Sequence, residues 1–155
     1  MAIIVSKTIE VCVFRLVNGR HEYLMLKRSS DEKIYPNLWQ FVSGSVIDGE
    51  KALDAALREL KEETGFAPER FWTVPYVNSF YDPAHDAVNV SPVFAAQVET
   101  GKPPTLSSEH SAFEWLSFAD AQQRLVWPGQ RLGLDLIEKY IIGREEAGIL
   151  TEMAL

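Results

Sequence analysis

Between Gly44 and Phe66 the chain reads GSVIDGEKALDAALRELKEETGF, and no other segment limits the fold as strongly. Glu50 to Thr64 is rich in Ala, Leu, Glu, Lys and Arg, which lose little on entering a helix. Gly65 stands where a glycine with positive φ closes a helix, so the spacing predicts a helix over 50–64. At about 100° per residue, Glu59, Glu62 and Glu63 fall within roughly one third of its circumference. They are neighbours at i, i+3 and i+4, and their like charges repel. Leu53, Ala56, Leu57 and Leu60 fill the adjoining arc and would anchor the helix to a core. Ala52 and Ala55 are expected on the carboxylate side. Three acidic groups beside a buried stripe destabilise the helix unless something cationic binds them. Hard oxygen donors suit Mg2+ or Mn2+.

The surroundings support that chemistry. Arg58 adjoins the cluster and can hold a carboxylate through its planar fork. Glu50 can in turn orient Arg58, the kind of support a metal site needs. Gly44 and Gly49 flank a tight loop and permit close backbone approach. For any single glutamate the bland alternative is a solvated helix face; the spaced set argues against it.

The set Gly44, Glu50, Arg58, Glu59, Leu60, Glu62, Glu63, Gly65 and Phe66 resembles the Nudix box, G-x5-E-x7-R-E-U-x-E-E-x-G-U with U apolar, at every defining position. That resemblance implies an α/β (α+β) fold, an α/β/α sandwich with a mixed sheet and the box as loop–helix–loop. It implies hydrolysis of a nucleoside diphosphate linked to another group. The metal ligands it implies are Glu59, Glu62, Glu63 and the Gly44 carbonyl. Arg58 joins the catalytic set with Glu50 as a support rather than a reactant. Glu62 or Glu63 is expected to accept the proton of the attacking water. In many relatives a glutamate outside the box does so, and Glu109 is the candidate here, with a solvated loop carboxylate as its plain alternative.

The rest of the chain reads as strands around this helix. Lys7 to Val17 alternates, Asn18-Gly19 is a hairpin turn, and Tyr23 to Lys27 returns. Leu38 to Val42 is a short strand ending at Ser43-Gly44. Phe71 to Phe80 and Val88 to Val98 are strands joined by a loop from Tyr81 to Ala87. Phe113 to Leu116 is a short strand. Phe118 to Leu125 and Gln130 to Ile142 are expected helices. No repeat or linker divides the chain, so residues 1–155 are expected to form one domain, with 143–155 the least determined part.

Composition narrows the function. The 155 residues carry a net charge of -7, which repels nucleic acid and acidic membranes, so a polyanionic substrate needs a local cation. No nucleic-acid or membrane partner is expected. One cysteine, Cys12, excludes an internal disulfide and suits a reducing cytoplasm. Its place among apolar strand residues predicts a buried thiol.

Outside the box, Leu38-Trp39-Gln40, Val42 to Val46, Glu109-His110, Trp115-Leu116 and Trp127 resemble dihydroneopterin triphosphate pyrophosphatases and nucleoside triphosphate pyrophosphatases. This implies a small nucleotide-like substrate, a nucleoside or pterin triphosphate cleaved to monophosphate and diphosphate. Dinucleoside polyphosphate (Ap4A-type) hydrolysis and a non-catalytic nucleotide-sensing module are the alternatives, and the complete box disfavours the second. Trp39, Phe80, Tyr81 and Trp127 can stack on a ring; for each alone core packing competes, least so for Tyr81 in its loop. Lys27 and Arg28 can hold phosphates. His85 and His110 are expected on surface loops. The tail after Gly143 offers a homodimer contact.

Overall fold

A computed structural model describes all of residues 1–155. The chain opens with β1 (Ile3–Val5) and β2 (Thr8–Val17), then turns at Asn18 and Gly19 into β3 (Arg20–Arg28). Those two residues have φ of 50° and 76°, the positive values that a two-residue hairpin turn requires. After the 29–38 loop come β4 (Trp39–Gln40) and β5 (Val42–Ser45), then α1 (Ala52–Thr64). The long hairpin β6 (Arg70–Asp82) and β7 (Ala87–Gln97) follows, then β8 (His110–Leu116), α2 (Phe118–Arg124) and α3 (Pro128–Leu136). Residues Ile137–Ile142 continue α3 as a π-helix, and α4 (Glu146–Leu150) and β9 (Glu152–Met153) end the chain.

The strands join in one mixed sheet in the order β4-β3-β2-β7-β6-β9. β1 pairs with β7, β5 with β2, and β8 with β3. β2 and β7 run parallel, as do β1 and β7; the remaining pairs are antiparallel. Side chains alternate across this sheet. Ile9, Val11 and Val13 face one cluster with Leu24, Leu26, Ala56 and Leu60, under α1. Cys12 and Phe14 face a second with Met25, Phe41, Leu125, Leu134 and Ile137, under α2 and α3. Each large apolar side chain so buried contributes about 1.5–3 kcal/mol before entropy. The result is the expected sandwich, and the Cys12 thiol is buried as expected.

Several local expectations are corrected. The strand expected over 38–42 is two strands. β4 pairs with β3, the fully buried Phe41 breaks the run, and β5 switches partner to β2, carrying Ser43 and Gly44 inside it. The helix starts at Ala52 rather than Glu50. Glu50 instead folds back, and its carboxylate accepts from the Ile47 amide at 2.9 Å. Ala55, on the arc between Glu59 and Glu62, is fully buried in the core. Tyr81 is not in a loop; β6 continues to Asp82, pairing Tyr81 with Val88. The tail is ordered against the sheet, where β9 pairs with β6 and Arg70 grips Glu152 through two bonds of 2.7 and 2.6 Å.

Candidate functional site

α1 ends where its chemistry begins. Gly65 takes φ 75° and donates its amide to the Lys61 carbonyl at 2.9 Å, closing the helix immediately after Glu62 and Glu63. On the other side, β5 passes against the helix at Gly44. A Cβ there would overlap the Glu59 carboxylate, so only glycine permits this approach. The Thr105 amide donates to the Thr64 carbonyl and the Ser29 amide to the Glu109 carbonyl, both at 2.8 Å. These bonds tie the loop bearing Glu109 to the end of α1 and to the end of β3.

Arg58 is the hub. Its Nε and Nη2 meet the two Glu50 carboxylate oxygens at 2.8 and 2.9 Å. Its Nη1 donates to Glu59 at 2.7 Å and Glu62 at 3.2 Å, and Nη2 also reaches the Ser45 carbonyl at 3.0 Å. This bidentate fork with the Ile47 amide holds the Glu50 carboxyl down to about 2. Glu59 behaves differently: burial raises its carboxyl, with Arg58 pulling back.

Glu63 is the exception. It is 2% exposed, and neither carboxylate oxygen has a hydrogen-bond partner. Burial, then the charges of Glu59 and Glu109, push its carboxyl up to about 9. The Ser43 backbone and Arg28 pull the other way, without completing a hydrogen bond to it. A buried acid left unpaired costs stability. Glu62 and Glu109 are exposed beside it.

The sequence-nominated residues thus divide. Gly44, Arg58, Glu59, Glu62 and Glu63 come together, with Glu109 near enough to act electrostatically on Glu59 and Glu63. Arg28 lies close enough to act on Glu63, while it bonds the Ile34 carbonyl at 2.8 Å and Glu32 at 3.1 Å. Lys27 is half-buried, one residue away across a register shift. Trp39 is half-buried with the Arg124 guanidinium 4.6 Å from its ring centroid, so one face is already covered. Tyr81 does not join the group: it lies near the tip of the β6–β7 hairpin, its hydroxyl bonded to Asp86 at 2.9 Å. His85 is exposed as expected, but His110 is not a surface residue. It begins β8, 5% exposed, with Nε2 3.5 Å from Gln40 Nε2. Burial and Arg28 lower its imidazole to about 4, leaving it neutral.

No three of these acidic, His or Cys side chains converge closely enough to chelate a cation as they stand, and Arg58 holds Glu59 and Glu62. The donor set nonetheless fits a hard divalent ion. It is all oxygen, and Glu63 is an orphaned buried carboxylate in its midst.

The NUDIX domain family model matches residues 6–136, from β2 through α3 and including the whole of this cluster. The chain belongs to the NUDIX domain family. Members are hydrolases that generally use divalent metal ions and act on small nucleotide substrates. The chain spans only 34%, 32% and 20% of the first curated relatives it matches; the first, an octanoyltransferase of Myxococcus xanthus, is 30% identical over 132 residues, 81% of this chain. The nucleoside triphosphatase NudI of Klebsiella pneumoniae is 24% identical, over 78% of this chain and 91% of that protein. Among solved structures, a C. elegans Ap4A hydrolase is similar at TM-score 0.74 and 23% identity, covering 90% of this chain and 99% of that one. The E. coli dihydroneopterin triphosphate pyrophosphohydrolase is similar at TM-score 0.68 and 25% identity, covering 90% and 99%. No helix is long and apolar enough to cross a membrane.

Residues that the sequence reading passed over are Glu10, Asn78 and Gln130. Glu10 had one available signal, a charged residue at an alternating position of an otherwise apolar strand.

Proposed function

We propose that the chain is a Mg2+-dependent pyrophosphohydrolase that cleaves a nucleoside or pterin triphosphate to a monophosphate and diphosphate. One observation carries the reading: Glu63 is buried among acidic neighbours with both oxygens free. A carboxylate in that setting calls for a counter-charge, and the guanidinium on the same helix, Arg58, is fully engaged elsewhere. Glu59, Glu62, Glu63 and the Gly44 carbonyl would hold the ion, which supplies Lewis-acid polarisation of the diphosphate and a more acidic water.

The chain's own groups do the rest. Arg58 restrains Glu59 and Glu62 and is itself locked by Glu50, so both carboxylates are presented in a narrow range of positions. Glu109 and Glu62 are the exposed carboxylates placed to accept the proton of the attacking water. Arg28 and Lys27, at the end of β3, supply positive charge for the phosphates in a chain of net charge -7. His110 stays neutral.

The test is hydrolysis of a panel with Mg2+ and with EDTA: dihydroneopterin triphosphate, canonical and oxidised (d)NTPs, diadenosine polyphosphates, ADP-ribose and nucleotide sugars. Metal-dependent release of diphosphate from a triphosphate is the expected result. Turnover of dinucleoside polyphosphates alone would move the assignment there. Nucleotide binding without turnover would point to a sensing module.

A further inference from the structure

Arg28, the cation whose charge acts on Glu63, is already held by its own neighbouring loop. A register shift between Lys27 and Arg28 interrupts the β3–β8 ladder, and a shift of this kind re-aims the side chain that follows it. Two of the three guanidinium nitrogens then bond the 29–38 loop. Nε donates to the Ile34 carbonyl at 2.8 Å and Nη2 to the Glu32 carboxylate at 3.1 Å. The Arg28 side chain is 17% exposed and that of Glu32 31%, so the pair is reachable from solvent.

The backbone of this loop is fixed. The Arg28 amide donates to the Leu38 carbonyl at 2.8 Å and the Asn37 amide to the Arg28 carbonyl at 3.1 Å, closing the two ends. The Ser29 amide bonds the Glu109 carbonyl, and the Glu32 amide bonds the Ser29 carbonyl at 3.2 Å. Tyr35 meets Trp127 edge-to-face with centroids 5.1 Å apart. Tyr35 and Asn37 take φ of 49° and 62°, a region costly for a bulky residue such as tyrosine. Such conformations persist only where the surroundings over-determine them. With the backbone held, the side chain of Glu32 is the part that can let go of Arg28.

We propose that Glu32 occupies on Arg28 the place of a substrate phosphate, and that the two anions exchange there as substrate binds and product leaves. The inference rests on the reading of the site as one that takes a phosphate chain, and deepens it. An i,i+4 ion pair this exposed is weak. A phosphate matches the guanidinium fork with two oxygens and carries more charge, so it displaces the carboxylate. When diphosphate departs, Glu32 is tethered four residues from Arg28 and returns at high effective concentration. Glu32 is thus a positioning residue. It touches no reacting atom and sets phosphate affinity through Arg28.

The experiment is a double-mutant cycle on the full chain, read by calorimetric titration with inorganic diphosphate in Mg2+. Glu32→Gln is expected to tighten binding about 3- to 10-fold. With Arg28→Gln already present, the same substitution should change it by less than about 1.5-fold. Asp31→Asn removes the neighbouring exposed charge and should leave affinity unchanged, a comparison that needs no Arg28 variant to fold. In turnover of a triphosphate, Glu32→Gln should lower KM by the same factor without raising kcat. Unchanged or weaker diphosphate binding in Glu32→Gln overturns the proposal, as does no detectable binding by wild type and variant alike. So does an equal gain from Asp31→Asn, or a gain that persists without Arg28; either would mean a general field effect. If the cycle holds while no triphosphate is hydrolysed, the hydrolase reading fails and the exchange stands. Turnover with no coupling in the cycle sinks the exchange alone.

Discussion

On the α1 side of the sheet a single guanidinium, Arg58, answers Glu50, Glu59 and Glu62, and Glu63 is left with nothing. On the α3 side no guanidinium or ammonium group bonds Glu10, which leans on the amides of Asn78 and Gln130. Both sides hide an unsatisfied carboxylate oxygen, but the shortages differ in kind. Beside Glu63 the neighbours are Glu59 and Glu109, so the deficit is of positive charge. Beside Glu10 the neighbours are neutral amides, so the deficit is of hydrogen-bond donors. The first is a shortage of cations and the second a shortage of neutral donors.

The largest effect should come from Glu63→Gln. We expect kcat to fall about 10^2- to 10^4-fold in a Mg2+ assay; near-native turnover would break the contrast. The same variant should be more stable than wild type without metal at pH 8. Glu63 is raised to about 9 when folded, so the folded state holds the proton more tightly than the unfolded chain. Stability from this group is present below the ordinary carboxylate range and is lost as pH rises towards about 9. Glutamine removes that loss, on the order of a few kcal/mol, readable as a higher Tm at pH 8 than wild type and little gain at pH 4.

Arg58→Lys comes next. Lysine keeps the charge but not the fork, so Glu50, Glu59 and Glu62 cannot all be held. Activity should drop about 10- to 100-fold with about 1–3 kcal/mol of stability by urea titration. Gly44→Ala should act in the same region by forcing Glu59 aside, at about 1–3 kcal/mol and with a matching loss of turnover. An unaffected enzyme would show that β5 can move freely.

A subtler test sharpens the charge deficit. Mg2+ uptake at pH 7 should displace the Glu63 proton, releasing about one proton per site by calorimetry in buffers of different ionisation heat. Release should vanish in Glu63→Gln. The smallest effect belongs to the other face. Gly129→Ala pushes the flexible Asn78 amide, so its bond to Glu10 should weaken at a cost of about 1 kcal/mol by urea titration while metal-linked proton release stays unchanged. A change in that release would mean that the two faces are not independent.

How much was legible follows from sequence distance. Gly44, Glu50, Arg58, Glu59, Glu62 and Glu63 lie within one loop and helix, where 3.6-residue periodicity sets who is near whom. Glu10, Asn78 and Gln130 come from β2, β6 and α3, and no local pattern joins them. His110 was read as surface because its loop neighbours are polar; its register opposite Arg28 in β3 buries it. Tyr81 was read as a loop residue because Asp82-Pro83 follows it; the ladder to β7 simply runs two residues further.

The amino-acid order alone determined the helix, its acidic face, the glycine that ends it and the alternating strands that make a sandwich. These depend on backbone periodicity and steric limits within a few residues. Only the tertiary structure decided which carboxylates Arg58 satisfies, that Glu63 is left without a partner, and that Glu10 meets Gln130. Burial and pairing depend on strand register and on what packs above each side chain, and those are properties of the assembled sheet.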